Sequence, residues 1–256
     1  MNIRMISDIR QKKPLIHHIT NQVVMNFTAN GLLSFGGSPV MAKAIEEASD
    51  MASVADGLLI NIGTLTDTDH KSMISAGKTA NKNGIPIVLD PVGVAATPYR
   101  KNVVKHILEE VSVTAIKGNI GEMAYLANIP WKTKGVDSLG DGNADEIAKR
   151  VADTYHTAAI VTGKIDTMFA NERLLHNERG HSLLEKVTGA GCLLGSILTA
   201  CLTTNNAIEE QALTALTFYG LAAEYAASRP NVLGPGSFKT QFIDALSLDM
   251  TVLQRR

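Results

Sequence analysis

Short, almost unbroken apolar runs alternate along this chain with longer stretches whose apolar positions recur every three to four residues. Residues 57–62, 85–90 and 113–117 are runs of the first kind, and each is followed by one of the second kind, over 68–81, 99–110 and 121–127. Strands apolar on both faces must be covered on both, and helical crossovers between them keep them parallel. The N-terminal part reads similarly: a helix over 7–13 stopped by Pro14, a strand over 15–20, a helix over 23–33 ended by Gly36-Gly37, an extended piece at 38–41 and a helix over 44–54. Asn21 stands where the cap of the second of these helices is expected. Residues 144–156 and 158–162 continue the alternation as helix and strand.

After Thr162 the pattern changes. Residues 167–171 and 173–177 are extended runs so close together that they predict an antiparallel hairpin, 182–187 reads as a further extended segment, and 190–202, 208–227 and 238–253 read as helices. The glycine-rich stretch 132–143 is the best candidate loop, and because the alternation resumes after it, it does not mark a domain boundary. The expectation is an α/β fold in a single domain over 1–256, with a mostly parallel central sheet, helices on both faces and a short antiparallel edge.

Composition narrows the function more than the fold. With 45% hydrophobic and 19% charged residues the chain has the makeup of a soluble folded protein. A net charge of −1 without a long basic run gives no footprint for a nucleic-acid partner. No apolar run reaches membrane-spanning length, and residues 1–14 interleave charges where a signal peptide needs an apolar core. A cytoplasmic protein with no membrane partner is expected. The two cysteines, Cys192 and Cys201, fall on opposite faces of one helix at about 100° per residue, so they cannot share a metal there.

Two phosphate-loop patterns fail on inspection. Gly77-Lys78-Thr79 has Ser72 where a P-loop needs glycine, and it lies within a helical pattern. Gly189-x-Gly191 with Gly195 is one residue too long for the dinucleotide fingerprint and comes late in the chain. The stretch Val187-Thr188-Gly189-Ala190-Gly191-Cys192 nevertheless opens a long apolar helix with glycines. Such a turn either holds an anion on the first amides of the helix or serves packing alone.

Three other features share its position. Asp90 ends a buried strand before Pro91, as a ligand-facing carboxylate or a turn residue. Lys117-Gly118-Asn119-Ile120-Gly121-Glu122 ends the next strand; its Asn119 and Glu122 share a helix face and fit either a hydrated Mg²⁺ or a capping box. Thr162-Gly163-Lys164 ends a further strand, as a phosphate contact or a plain turn. In a parallel sheet all of these converge on one edge, and together they carry the charges of a phosphoryl-transfer site without a P-loop.

The order Asp90-Pro91-Val92, Lys117-Gly118-Asn119-x-x-Glu122, Thr162-Gly163 and Gly189-Ala190-Gly191-Cys192 resembles the ribokinase-like superfamily of small-molecule kinases. Within it, His18-Ile19-Thr20-Asn21-x-Val23-Val24-x-Asn26-Phe27-Thr28-Ala29-Asn30 with Ser38-Pro39-x-Met41 is similar to the hydroxyethylthiazole kinase family, and the likeness runs over essentially the whole chain. The resemblance implies ATP- and Mg²⁺-dependent phosphorylation of the primary alcohol of 4-methyl-5-(2-hydroxyethyl)thiazole, in the salvage branch of thiamine phosphate synthesis. It places Met41, Gly189 and Asn21 against the thiazole, Lys117, Thr162 and Thr188 against ATP, and Asp90, Asn119 and Glu122 in the Mg²⁺ and phosphate network. Gly189, Ala190, Gly191 and Cys192 become the catalytic anion hole, and the assembly a homotrimer with sites between subunits.

Most of the superfamily has an aspartate base where this chain has Cys192. A thiol pKa near 8.5, lowered at a helix N-terminus, would make Cys192 a modest base, while Cys201 reads as core. The alternatives are a related hydroxymethylpyrimidine or pyridoxal kinase, an ATP-dependent dehydratase repairing hydrated nicotinamide nucleotides on the same scaffold, and a non-catalytic sensor of thiazole or nucleotide.

Overall fold

The structure, a computed structural model, describes residues 2–130 and 142–254. Its strands are β1 (Leu15–Ile19), β2 (Ser38–Val40), β3 (Gly57–Asn61), β4 (Ile87–Asp90), β5 (Ala115–Asn119), β6 (Ala158–Thr162), β7 (Asp166–Ala170) and β8 (Arg173–Asn177). They form one sheet of 8 strands in the order β2-β1-β3-β4-β5-β6-β7-β8. The first six are parallel, and β7 and β8 add the antiparallel edge. This is the expected α/β architecture. Continuously apolar β3 is buried at every position, which is why helices cover both of its faces.

The helices are α1 (Ile3–Lys12), α2 (Met25–Phe35), α3 (Ala48–Val54), α4 (Asp67–Lys82), α5 (Pro98–Glu110), α6 (Ile120–Leu126), α7 (Gly142–Tyr155), α8 (Ala190–Leu202), α9 (Ile208–Ala227), α10 (Pro235–Leu246) and α11 (Met250–Leu253). One core layer packs α1, α2, α8, α9 and α10 against Ile16, Leu59, Val88 and Ile160. The other packs α3 to α7 against Leu58, Ile60, Leu89, Ile116 and Val161. α8 is apolar all round because it lies between the sheet and α9; every residue from Leu193 to Leu202 is buried. Cys201 is part of that core, as expected.

Several expectations need correction. Residues 182–187 are not extended: Ser182–Lys186 is a 3₁₀ turn, because Leu183 and Leu184 both pack on the helical layer, a spacing a strand cannot offer. The last expected helix is two, α10 and α11. Arg10 on α1 donates to the carbonyls of Leu246 (3.1 Å) and Leu248 (2.8 Å), satisfying the end of α10 from across the fold. α3 starts only at Ala48, and the first helix begins earlier than expected, at Ile3, capped by Asn2. The expected loop at 132–143 lies outside the described residues except for its end, which opens α7.

The topology positions the site. From β1 the chain moves outward to β2, then returns past β1 to β3, so the order reverses between β1 and β3. In open parallel sheets ligands bind beyond the strand C-termini at such a reversal.

Candidate active site

Asn21 and Asn61 face each other across that reversal, one just after β1 and one at the end of β3. Asn21 does not cap α2, which begins at Met25 with Val24 in the cap position. Its amide instead donates to Asn61 Oδ1 at 3.0 Å and to Cys192 Sγ at 3.4 Å. Asn61 Nδ2 donates in turn to Asp90 Oδ2 (2.7 Å) and to the same sulfur (3.2 Å), while its Oδ1 also accepts from Gly63 N. Both hydrogens of each amide are thereby assigned.

Asp90 continues the chain to Lys117. The Lys117 ammonium lies 3.2 Å from Asp90 Oδ2 and donates to the carbonyl of Gly191 at 3.0 Å. Both side chains are almost fully buried. Burial pushes the Asp90 carboxyl up, and Glu122 adds to this; Lys117 and Asn61 oppose it, leaving a pKa of about 6. Burial alone would lower Lys117, but Asp90, Cys192 and Glu122 outweigh it and its pKa rises. At neutral pH the pair is charged, each group held by the other and by hydrogen bonds.

The chain ends on the glycine turn. Gly189 occupies the cap position of α8 with φ +91°, a left-handed conformation, and a Cβ there would lie 2.5 Å from Val24 Cγ1. Only glycine fits both constraints. Gly195 lets α8 approach the sheet: a Cβ there would meet Leu59 Cδ1 at 3.2 Å. Of the four amides expected in the anion hole, that of Ala190 is engaged, donating to Val187 O at 3.2 Å. The Gly191 and Cys192 amides begin the helix with no side-chain cap, and Gly191 is exposed. These two, with the helix dipole behind them, can receive an anion.

The Cys192 thiol is not activated. Burial first, then Asp90, push its pKa up; Lys117 and the two asparagine amides pull the other way without reversing it. The expectation of a lowered thiol pKa at this helix start is therefore corrected: desolvation, with a carboxylate close by, raises it.

Asn119 and Glu122 realise the capping box, with Glu122 N donating to Asn119 Oδ1 (3.0 Å) and Asn119 N to Glu122 Oε2 (2.9 Å). Glu122 Oε1 also accepts from Gly93 N at 2.9 Å, tying the β4 and β5 ends together. Both Asp90 side-chain bonds fall on Oδ2, and each Glu122 oxygen accepts one backbone hydrogen bond and keeps a lone pair. Among the described residues no cluster of three or more His, Cys, Asp or Glu side chains stands ready to hold a metal. The two carboxylates fit a Mg²⁺ that keeps most of its water and takes its remaining ligands from phosphates.

Thr162 lies beside this group, its hydroxyl donating to Gly118 O at 3.2 Å, and Thr188 is exposed just ahead of the turn. Asp166 Oδ1 accepts from Gly163 N at 3.1 Å and fixes the turn after β6. Met41, half-buried, follows β2 at the same sheet edge. Sequence reasoning missed Asn61 and Arg100. Asn61 was legible in principle, as a polar residue ending an apolar strand. Arg100, which donates to the carbonyls of Ile62 (2.7 Å), Gly63 (2.5 Å) and Val92 (2.6 Å) and so holds two edge loops, carried no local signal.

The model of the hydroxyethylthiazole kinase family matches residues 6–251. The chain is 59% identical over 247 residues to Hydroxyethylthiazole kinase 1 of Oceanobacillus iheyensis, covering 96% of each. It superposes on the structure of hydroxyethylthiazole kinase from Pyrococcus horikoshii with a TM-score of 0.90 at 37% identity, over 99% of this chain and 96% of that one. A ribokinase-like superfamily protein from Enterococcus faecalis, 12% identical with a TM-score of 0.67 over 96% of this chain and 94% of that one, shares the fold alone. No helix among the described residues is long and apolar enough to cross a membrane.

Proposed function

This chain belongs to the hydroxyethylthiazole kinase family, and on that premise we propose that it transfers the γ-phosphoryl group of ATP to the primary alcohol of 4-methyl-5-(2-hydroxyethyl)thiazole, in the cytoplasm, supplying the thiazole phosphate for thiamine phosphate synthesis. The observation that carries the reading is the unbroken chain of hydrogen bonds from Asn21 through Asn61, Asp90 and Lys117 to the start of α8. It joins the end of β1, on the acceptor side, to the helix that offers amides to phosphate.

The alcohol oxygen attacks the γ-phosphorus in line, the bond to the ADP oxygen breaks, and the hydroxyl proton leaves as the ester forms. Charge develops on the transferring oxygens, and the Gly191 and Cys192 amides meet it without reorganising. Two contacts account for two of the three Lys117 N–H groups, which leaves the third for a phosphate oxygen. Thr162 and Thr188 flank the nucleotide, and Met41, Asn21 and Gly189 form the thiazole side. Asp90 and Glu122, the latter braced by Asn119, would hold Mg²⁺, which when bound neutralises phosphate charge. Cys192, un-ionised at neutral pH, takes the proton only weakly, so electrostatic stabilisation supplies most of the rate.

The protein assembles as a homotrimer with the thiazole site between subunits. Val23 (71% exposed) and Leu33 (57%) support this, because they leave apolar surface around α2. A panel of acceptor alcohols with coupled ADP detection tests the function. The thiazole alcohol should give the highest kcat/KM; preference for a hydroxymethylpyrimidine or pyridoxal would overturn it. Sedimentation at equilibrium tests the trimer.

A further inference from the structure

β1 carries two consecutive, fully buried histidines, and their side chains do different work. His18 uses both ring nitrogens: Nδ1 donates to Ile16 O at 2.8 Å, and Nε2 accepts from the Ser196 hydroxyl at 2.7 Å. It fastens β1 to α8, and burial lowers its pKa to about 4. His17 points to the opposite face of the sheet and uses one nitrogen. Its Nε2 donates to the carbonyl of Ala42 at 2.6 Å. Its Nδ1 is buried with no partner, a cost that folded proteins rarely carry without a reason.

The reason lies in what Ala42 follows. β2 is a three-residue edge strand, and its last rung pairs Val40 with His17. Met41 is the first residue beyond the ladder. The main chain of His17 therefore lies across from the residue before Met41, and its side chain grips the residue after it. Lys43 is pinned next, its ammonium 2.8 Å from Asp69 Oδ1, while Asp69 Oδ2 closes the capping box of α4 with Thr66. Met41 thus leaves a short edge strand yet has little backbone freedom, and one histidine brackets it on both sides.

We propose that His17 is a positioning residue for the acceptor: it fixes the segment that presents Met41, and so sets affinity for the thiazole alcohol without touching ATP. The inference rests on the assignment of Met41 to the thiazole side made above. It explains why β1 holds a histidine here rather than an aliphatic residue, since the segment after β2 needs a donor long enough to reach past the end of the ladder. Burial lowers the pKa of His17, and the neutral ring keeps that donor on Nε2.

The test compares His17→Leu, His17→Gln and His17→Asn with Met41→Ala and the His17→Leu/Met41→Ala double variant, varying ATP and the alcohol separately. His17→Leu should raise KM for the alcohol about tenfold, the effect of one buried hydrogen bond, with kcat and KM for ATP changed by less than about twofold. Gln, whose amide reaches Ala42, should restore most of the affinity; Asn, one methylene shorter, should not. The double variant should be no worse than Met41→Ala, because both changes act through one contact. Melting and sedimentation confirm that each variant is folded and assembled, and if His17→Leu does not fold, the Gln and Asn pair decides.

Equal rises in both KM values, a fall in kcat alone, indistinguishable Gln and Asn variants, or multiplicative losses in the double variant would overturn the proposal. The two readings fail differently. An enzyme that does not phosphorylate the thiazole alcohol removes the proposed function, and the positioning role with it. An enzyme that does, and loses affinity in Met41→Ala but not in His17→Leu or His17→Asn, removes the positioning role alone.

Discussion

Replacing Cys192 with alanine separates electrostatic from base catalysis. The sulfur accepts amide hydrogens from Asn21 and Asn61 and lies beside Asp90, and its pKa is pushed above the ordinary thiol value. Even at an ordinary pKa only about 1–3% of a thiol is ionised at pH 7, and the shift lowers that further. A well-matched general base contributes roughly 10²–10⁴-fold; about 1% of the middle of that range is about tenfold, and the raised pKa takes it lower. Cys192→Ala should therefore lower kcat by no more than about tenfold with KM for ATP unchanged, measured by coupled ADP release. The wild-type protein should show an alkaline rise in kcat as the thiol ionises, and the variant should lack it. A loss above about 10³-fold would refute the reasoning, since the thiol would then be the principal base and the amides of the turn secondary.

The turn itself should be far less tolerant. Gly189→Ala places a methyl group against Val24 at φ +91°, so kcat should fall by about 10²-fold or more and stability by about 2 kcal/mol; wild-type values would show that the turn is adaptable. Asp90 gives a pH signature. With a folded pKa of about 6, it binds a proton as pH falls through 6 and stops neutralising Lys117, so kcat/KM for ATP should drop below pH 6 and recover above it. The sign for stability is opposite. Between the ordinary carboxylate value and about 6 the native state holds a proton that the unfolded chain has released, so this group's contribution falls as pH rises through that window. Asp90→Asn should be weakly active and lack that acid limb; an unchanged profile in the variant would assign the ionisation elsewhere.

How much of this was legible in the sequence depended on whether the cause was local. Runs such as residues 57–61 are apolar on both faces and announce a covered parallel sheet, and the polar residues that end them announce the edge where ligands bind. The capping box at Asn119 and Glu122 was one of two readings and is realised without excluding the other, because each Glu122 oxygen keeps acceptor capacity. Asn21 misled because its type fits a cap, while its partners, Asn61 and Cys192, are distant in the chain. Arg10 ending α10 and Arg100 holding two edge loops are equally non-local. The Cys192 pKa was misjudged because the helix end is visible in sequence, whereas burial beside Asp90 is a property of the packed fold.

The central claim is that this site phosphorylates the thiazole alcohol at the expense of ATP. The direct measurement follows ATP consumption with and without 4-methyl-5-(2-hydroxyethyl)thiazole and identifies the product by phosphorus NMR and mass spectrometry. The account predicts negligible turnover without the alcohol and, with it, one phosphate monoester formed per ADP released. ATP hydrolysis that ignores the alcohol, or binding of the alcohol with no ester formed, would contradict it.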